Sequence, residues 1–138
     1  MLKGSVKPKK FNGVVERNEE SILLFDKEDI KSTNPVYSEA VHCGAYRHFR
    51  LSLDIDSTST PTDLRIEVLF LEEQTGKWFT YKQGFFASLY YEDTDVASGV
   101  QECFSGDCSG RAMRIKLTGS GTTSSAFFTV SAAVEFWN

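Results

Sequence analysis

Four stretches of this chain alternate apolar and polar residues with a period of two, and no other feature constrains the fold as tightly. Phe49, Leu51, Leu53 and Ile55 interleave with Arg50, Ser52 and Asp54. Leu64, Ile66, Val68 and Phe70 interleave with Arg65, Glu67 and Leu69, and Met113, Ile115 and Leu117 with Arg114, Lys116 and Thr118. Phe128, Val130, Ala132, Val134 and Phe136 repeat the pattern near the C-terminus. Successive side chains of a strand point to opposite faces, so each stretch reads as a strand with one row on a core and the other in water.

Weaker strand candidates fill the intervals: Ser21 to Phe25, Val36 to Cys43, Trp78 to Gln83, Phe85 to Tyr91 and Gly99 to Phe104. Turn-forming clusters separate them at 56–63, 72–77, 92–98, 105–110 and 119–125. Thr75-Gly76 stands where a tight hairpin needs positive φ, which glycine adopts without steric cost. Eight or nine short strands with turns every 8 to 12 residues predict an all-β fold: an antiparallel β-sandwich, jelly-roll-like, with an extended N-terminal arm. The 11 Phe, 5 Tyr and 2 Trp suit the half-buried face of a sheet. One helical turn is expected near Lys27 to Ser32, with Asp26 as its N-cap.

The 138 residues suffice for one domain that needs no metal or disulfide to hold it together. Residues 1–19 read as an extended basic arm and 20–138 as a single β-sandwich domain. Lys3, Lys7, Lys9 and Lys10 give the first ten residues four positive charges, while the other 128 hold 11 basic and 19 acidic residues. A −8 body argues against nucleic acid as its partner. The arm is too polar to order itself alone, and its lysines are the candidate interaction residues, docking on a neighbouring copy or an acidic surface. No apolar run has the length of a signal peptide's core or a membrane helix, so the expectation is no membrane partner and synthesis in a cytoplasm.

The candidates for chemistry are few. His42, Cys43, His48, Cys103 and Cys108 match no zinc spacing, and Cys43 reads as a small core residue. Cys103-Phe-Ser-Gly-Asp-Cys108 is a candidate disulfide if the segment is a hairpin tip, with free thiols as the default. Asp54-Ile-Asp56-Ser-Thr58 fails as a calcium loop, having Ser59 and Arg65 where that loop requires glycine and glutamate. Glu92, Asp93 and Asp95 read as a solvated turn before they read as a calcium site. No nucleophile elbow, phosphate loop or His-Glu-x-x-His is present. The expectation is therefore no catalytic residue, no metal, no cofactor and no enzymatic activity. Trp78, Phe79, Tyr81, Tyr90, Tyr91 and Trp137 form a sugar-stacking platform if they share a face; the favoured alternative puts Trp78 and Phe85 or Phe86 in the core.

Several motifs occur together between Phe49 and Phe136. They are Thr60-Pro61-Thr62, Leu64-Arg-Ile66-Glu-Val68, Gly76-Lys-Trp78, Phe86, Arg114-Ile115-Lys-Leu117 and Gly119-Ser-Gly121-Thr122. In this layout the chain resembles small β-sandwich structural proteins of tailed bacteriophages, of the capsid decoration (cement) or head–tail accessory type. The resemblance implies a non-enzymatic virion protein, made in the host cytoplasm, that stabilises the head shell. Its partners would be the major capsid protein or other virion proteins and copies of itself, as a homotrimer. The alternatives are a neck or tail accessory protein, or a glycan-binding module for host attachment.

Overall fold

A computed structural model describes residues 10–11, 14–15 and 21–138 of the chain. Its strands are β1 (Lys10–Phe11), β2 (Val14–Val15), β3 (Ser21–Ile30), β4 (Val36–Tyr37), β5 (Val41–His42) and β6 (His48–Thr58). They continue as β7 (Asp63–Glu72), β8 (Lys77–Thr80), β9 (Leu89–Glu92), β10 (Val100–Asp107), β11 (Ala112–Ser120) and β12 (Phe127–Trp137). A 3-10 turn (Gly84–Ser88) and the one-turn helix α1 (Asp93–Val96) complete the elements. Of the arm expected over residues 1–19, Lys10–Phe11 and Val14–Val15 pair as a short antiparallel ladder. Lys3, Lys7 and Lys9 lie outside the described residues.

The strands from β3 onward form two sheets. The front sheet has the order β10-β6-β12-β3; the back sheet has β4-β11-β7-β8, with β5 also on β11 and β9 also on β7. Among the described residues every pairing is antiparallel. β4 and β5 act as one interrupted strand. Between them Ser38 keeps contact with β11, its Oγ accepting the Ile115 N–H at 2.9 Å and its own N–H donating to the Ile115 carbonyl. β8 and β9 are likewise one strand broken by the 3-10 turn, which inserts Phe86 into the core. Counted so, eight strands in chain order divide between the sheets as 1-8-3-6 and 2-7-4-5. This is the double Greek key of a jelly roll, the architecture the alternations predict.

All four alternating apolar rows face the core, with Phe49, Leu51, Ile55, Leu64, Met113, Ile115, Leu117, Phe128, Val130 and Val134 essentially inaccessible to water. An aromatic cluster closes one end of it. The Phe49 ring centroid lies 5.7 Å from Phe70, 5.7 Å from Tyr81 and 5.3 Å from Phe86, mostly in edge-on or tilted geometry. Phe49 is opposite Gly106 on β10. A Cβ at position 106 would lie 2.8 Å from the Phe49 ring and 3.0 Å from the Tyr81 hydroxyl.

Two local expectations are corrected. No helix begins at Asp26: β3 runs through to Ile30, and Lys27 takes positive φ (51°) at a bulge where the register against β12 shifts. The Lys27 N–H donates to Ser131 Oγ at 2.9 Å, so strand pairing and not a helical cap satisfies it. The helix lies instead in the acidic cluster. Asp95 accepts the Glu92 N–H at 2.9 Å and Glu92 accepts from the Asp95 backbone, a reciprocal capping box. Asp93 accepts the Ser57 hydroxyl at 2.7 Å. These carboxylates are committed to local structure. The Thr75-Gly76 hairpin forms as expected, with Gly76 at φ 67° and Glu72 accepting the Gln74 and Thr75 N–H groups. Those two bonds hold the Glu72 carboxyl below its ordinary pKa.

The Phe49–Gly106 approach is directly testable. Gly106→Ala forces a methyl group into a fully buried ring and should destabilise the domain by about 1–3 kcal/mol. Urea denaturation should show the lower midpoint with the strand-dominated circular dichroism spectrum retained.

Candidate functional site

The structure scatters the six aromatics that would have made a stacking platform. Tyr81 and Tyr91 are buried, Tyr81 in the aromatic cluster and Tyr91 with its hydroxyl donating to Glu102 at 2.6 Å. Burial and that carboxylate push the Tyr91 pKa well above the usual tyrosine range. Phe79 is exposed on edge strand β8. Trp78 and Tyr90 lie on the outer face of the back sheet, and Trp137 on the outer face of the front sheet. The core alternative holds for Phe86 but not for Trp78 or for Phe85, which is 76% exposed. Trp78 has a different task. The Arg114 guanidinium carbon lies 4.4 Å from both the Trp78 and Tyr37 ring centroids, so the cation is clamped between two rings across the back sheet.

The candidate disulfide is also corrected. Residues 103–107 are not a hairpin tip but the second half of β10, paired with β6 as far as Asp107↔His48. Five residues of extended chain separate Cys103 from Cys108 by roughly 16 Å, beyond the ~7 Å a bridge spans. All three cysteines are free. Among the described residues no three His, Cys, Asp or Glu side chains gather as a metal site.

The densest array of recognition groups is on the outer face of the front sheet. It is formed by the polar halves of the alternations, placed in register by β6, β10, β12 and β3. At one end His48 lies between Asp107 and Trp137, with Nδ1 3.2 Å from Asp107 Oδ1 and its ring 5.5 Å from the indole. On the next rung Arg50 Nη1 donates to Glu135 Oε1 at 3.4 Å, and its guanidinium carbon is 5.1 Å from the Trp137 ring centroid. Cys103, Ser52, Ala133 and Leu23 form a low floor beyond them. Gln101 Nε2 then donates to Asp54 Oδ1 at 2.9 Å beside Ser131. Asp56 follows, next to Thr129, whose hydroxyl donates to Asp29 at 2.7 Å. Phe127, with the Lys31 ammonium 4.7 Å from its ring centroid, marks the far end.

Ten residues of β12 separate Trp137 from Phe127, so the strip is roughly 33 Å long. Its centre is a shallow depression of about 420 Å³, where Leu23, Cys103 and Ala133 lie among Ser52, Asp54, Gln101 and Ser131. The face bears Asp29, Asp54, Asp56, Asp107 and Glu135 against Arg50 and Lys31. The Arg50–Glu135, Gln101–Asp54, Thr129–Asp29 and His48–Asp107 contacts hold donors and acceptors in place before any ligand arrives, lowering the entropy lost on binding.

Sequence reasoning assigned Arg50, Ser52 and Asp54 to water as the solvated half of a strand. What it missed was that β12 would lay Thr129, Ser131, Glu135 and Trp137 beside them. The signal was present in the polar positions of the alternating stretches, but the register joining them was not.

No family model matches the sequence, and no curated protein sequence matches it. Among solved structures, one similar chain is a carbohydrate-binding module described as specific for non-crystalline cellulose (CBM28). It has a TM-score of 0.48 and 12% identity, over 95% of this chain and 80% of that one. Another is a family 16 carbohydrate-binding module, with a TM-score of 0.46 and 8% identity over 74% and 70% of the two chains. Overlap this partial adds nothing to what the strand order already shows.

The back-face stack gives a prediction about stability. Trp78→Ala strips one ring from Arg114 and should cost about 1 kcal/mol, read from the urea midpoint, with Trp78→Phe losing less.

Proposed function

We propose that this domain is a non-catalytic module that binds a neutral carbohydrate chain along the outer face of its front sheet. The observation that carries the reading is the strip from Trp137 to Phe127, where pre-paired hydrogen-bonding side chains flank a floor of Leu23 and small residues. Sugar hydroxyls both donate and accept, and the strip offers both functions: Arg50 and Gln101 donate, while Asp54, Asp56 and Glu135 accept. The C–H face of a sugar ring is apolar and suits an indole that keeps part of its surface in water, as Trp137 does. The strip is long and shallow, which suits an extended chain better than a small molecule that needs enclosure. Its excess of carboxylates repels acidic polymers, so neutral glycans are the expected class.

The measurement is binding to soluble neutral polysaccharides on a glycan array and by affinity electrophoresis, with an acidic polysaccharide as the comparison. Trp137→Ala should weaken binding at least tenfold, about 1.4 kcal/mol. Trp78→Ala, on the opposite sheet, should leave binding unchanged. Retained affinity in Trp137→Ala, or a preference for the acidic polymer, would overturn the reading.

A second proposal is the virion structural role, with copies of the chain and a capsid shell as partners. What favours it is the set of apolar side chains left in water: Leu23 (58% exposed) on edge strand β3, Phe79 (52%) on edge strand β8, and Phe85 in the 3-10 turn. Edge strands with exposed apolar residues are ready sites for association. Mass spectrometry of purified particles should find the protein in hundreds of copies; its absence would remove this reading.

A further inference from the structure

The β5–β6 connection (residues 43–47) and the β10–β11 connection (residues 108–111) interlock through their backbones. The Cys43 and Gly44 N–H groups donate to the Arg111 carbonyl at 2.9 and 3.0 Å, and the Cys108 N–H donates to the Arg47 carbonyl at 2.8 Å. Each cysteine is thus held by the segment that bears the other. The second segment has no slack. A Cβ on Gly110 would lie 2.5 Å from the Leu71 carbonyl oxygen, and the Arg111 N–H donates to that same oxygen.

Within this clamp Cys43 and Cys108 are brought together on one core cluster, with the Cys43 thiol on the Gly110 carbonyl, two residues from Cys108. Cys43 is 1% exposed, belongs to the core cluster, and directs its thiol to the Gly110 carbonyl at 3.4 Å. Cys108 packs against the same cluster but is only partly covered. It lies in a surface depression of about 470 Å³ between Tyr46, Leu71 and Arg111. Cys103, on the outer face of the front sheet beside Ser52, is remote from both.

We propose that Cys43 and Cys108 are an oxidisable pair, a disulfide site that pins the β5–β6 connection to the β10–β11 connection. Backbones interlocked on both sides hold the two side chains on one cluster, so side-chain rotation suffices to bring the sulfurs to the ~2 Å of a bond. Oxidation proceeds by exchange with a small-molecule disulfide such as oxidised glutathione. The Cys108 thiolate, reachable from the depression, attacks one sulfur of that disulfide and releases one glutathione thiolate. The Cys43 thiolate then attacks the Cys108 sulfur of the mixed disulfide and expels the second. The two protein protons end on the two glutathione thiols, and two electrons pass from protein to glutathione. In the reduced protein the hydrogen bond from Cys108 lowers the Cys43 pKa against the opposing effect of burial. That same bond, burial and the Asp107 charge raise Cys108, so the first step is slow and quickens as pH rises. The site does not depend on what the front sheet binds.

The test treats the reduced full-length protein with oxidised glutathione and maps the products without reduction. Trypsin with Asp-N is used because Asp-N cuts before Asp107 and separates Cys103 from Cys108. The expected product links the Cys43 peptide to the Cys108 peptide. It should form equally in Cys103→Ser, and it should raise the melting temperature by at least about 5 °C, since the closed loop is long. Cys43→Ala should stop at glutathione retained on Cys108. A linkage that includes Cys103, glutathione retained on Cys108 in the wild type, or no cross-link would each overturn the assignment.

Discussion

Phe49 can be fully buried because the residue opposite it, Gly106, has no side chain, and much of the molecule depends on that contact. Its ring joins Phe70 of the back sheet, Tyr81 after β8 and Phe86 of the 3-10 turn into one cluster, so three segments distant in sequence meet on one β6 side chain. Tyr81 adds a polar tie by accepting the Asp107 N–H at 3.0 Å. Together these fix β10 against β6. A slip of one residue would present a side chain to Phe49 where only glycine fits, and would turn every β10 side chain to the other face. The aromatic cluster inside therefore determines which groups stand outside. Gln101 meets Asp54, and Asp107 meets His48, because Gly106 meets Phe49.

The same logic separates what the sequence revealed from what it concealed. The four alternating stretches could be read directly, since β6, β7, β11 and β12 are buried on one face and each apolar residue has a single place to go. β10 is an edge strand with polar residues on both faces. Even Glu102, on its core side, is polar and is satisfied by the Tyr91 hydroxyl. With no alternation to read, Ser105 to Gly110 looked like a turn, and Cys103 and Cys108 looked like neighbours. The bulge at Lys27 misled for a related reason: an Asp followed by charged residues is a helix start in isolation, and only the pairing with Ser131 makes it a strand. Trp78 shows the limit of composition. Its indole lies opposite Leu71 on the outer face of the back sheet and stacks on Arg114, so a large aromatic sits outside the core.

The front face could be read only in halves. Arg50 and Glu135 are 85 positions apart in sequence and form one contact because β12 runs beside β6 in a fixed register. Each belongs to a strand whose polar row, taken alone, is the ordinary solvated side of a sheet. Periodicity identifies the faces; register decides which residues share a rung, and register is set by side chains elsewhere in the core.

The two outer faces then differ in a way that bears on recognition. On the back sheet Arg114 occupies the space between the Trp78 and Tyr37 rings, and Lys116 pairs with Glu67 at 3.8 Å, so the strongest groups there are used within the molecule. On the front sheet the pairs run side by side along the surface, and each keeps part of its capacity. A carboxylate has about four lone-pair positions and a guanidinium five N–H groups, so Glu135 and Arg50 have capacity left after meeting once. A hydroxyl-rich ligand of the kind proposed for this face would use that residual capacity without displacing the existing contacts. An anionic ligand would instead compete with Glu135 for Arg50 while facing Asp54, Asp56 and Asp107. The neutrality expected of the ligand therefore follows from the pairing that holds the face in shape.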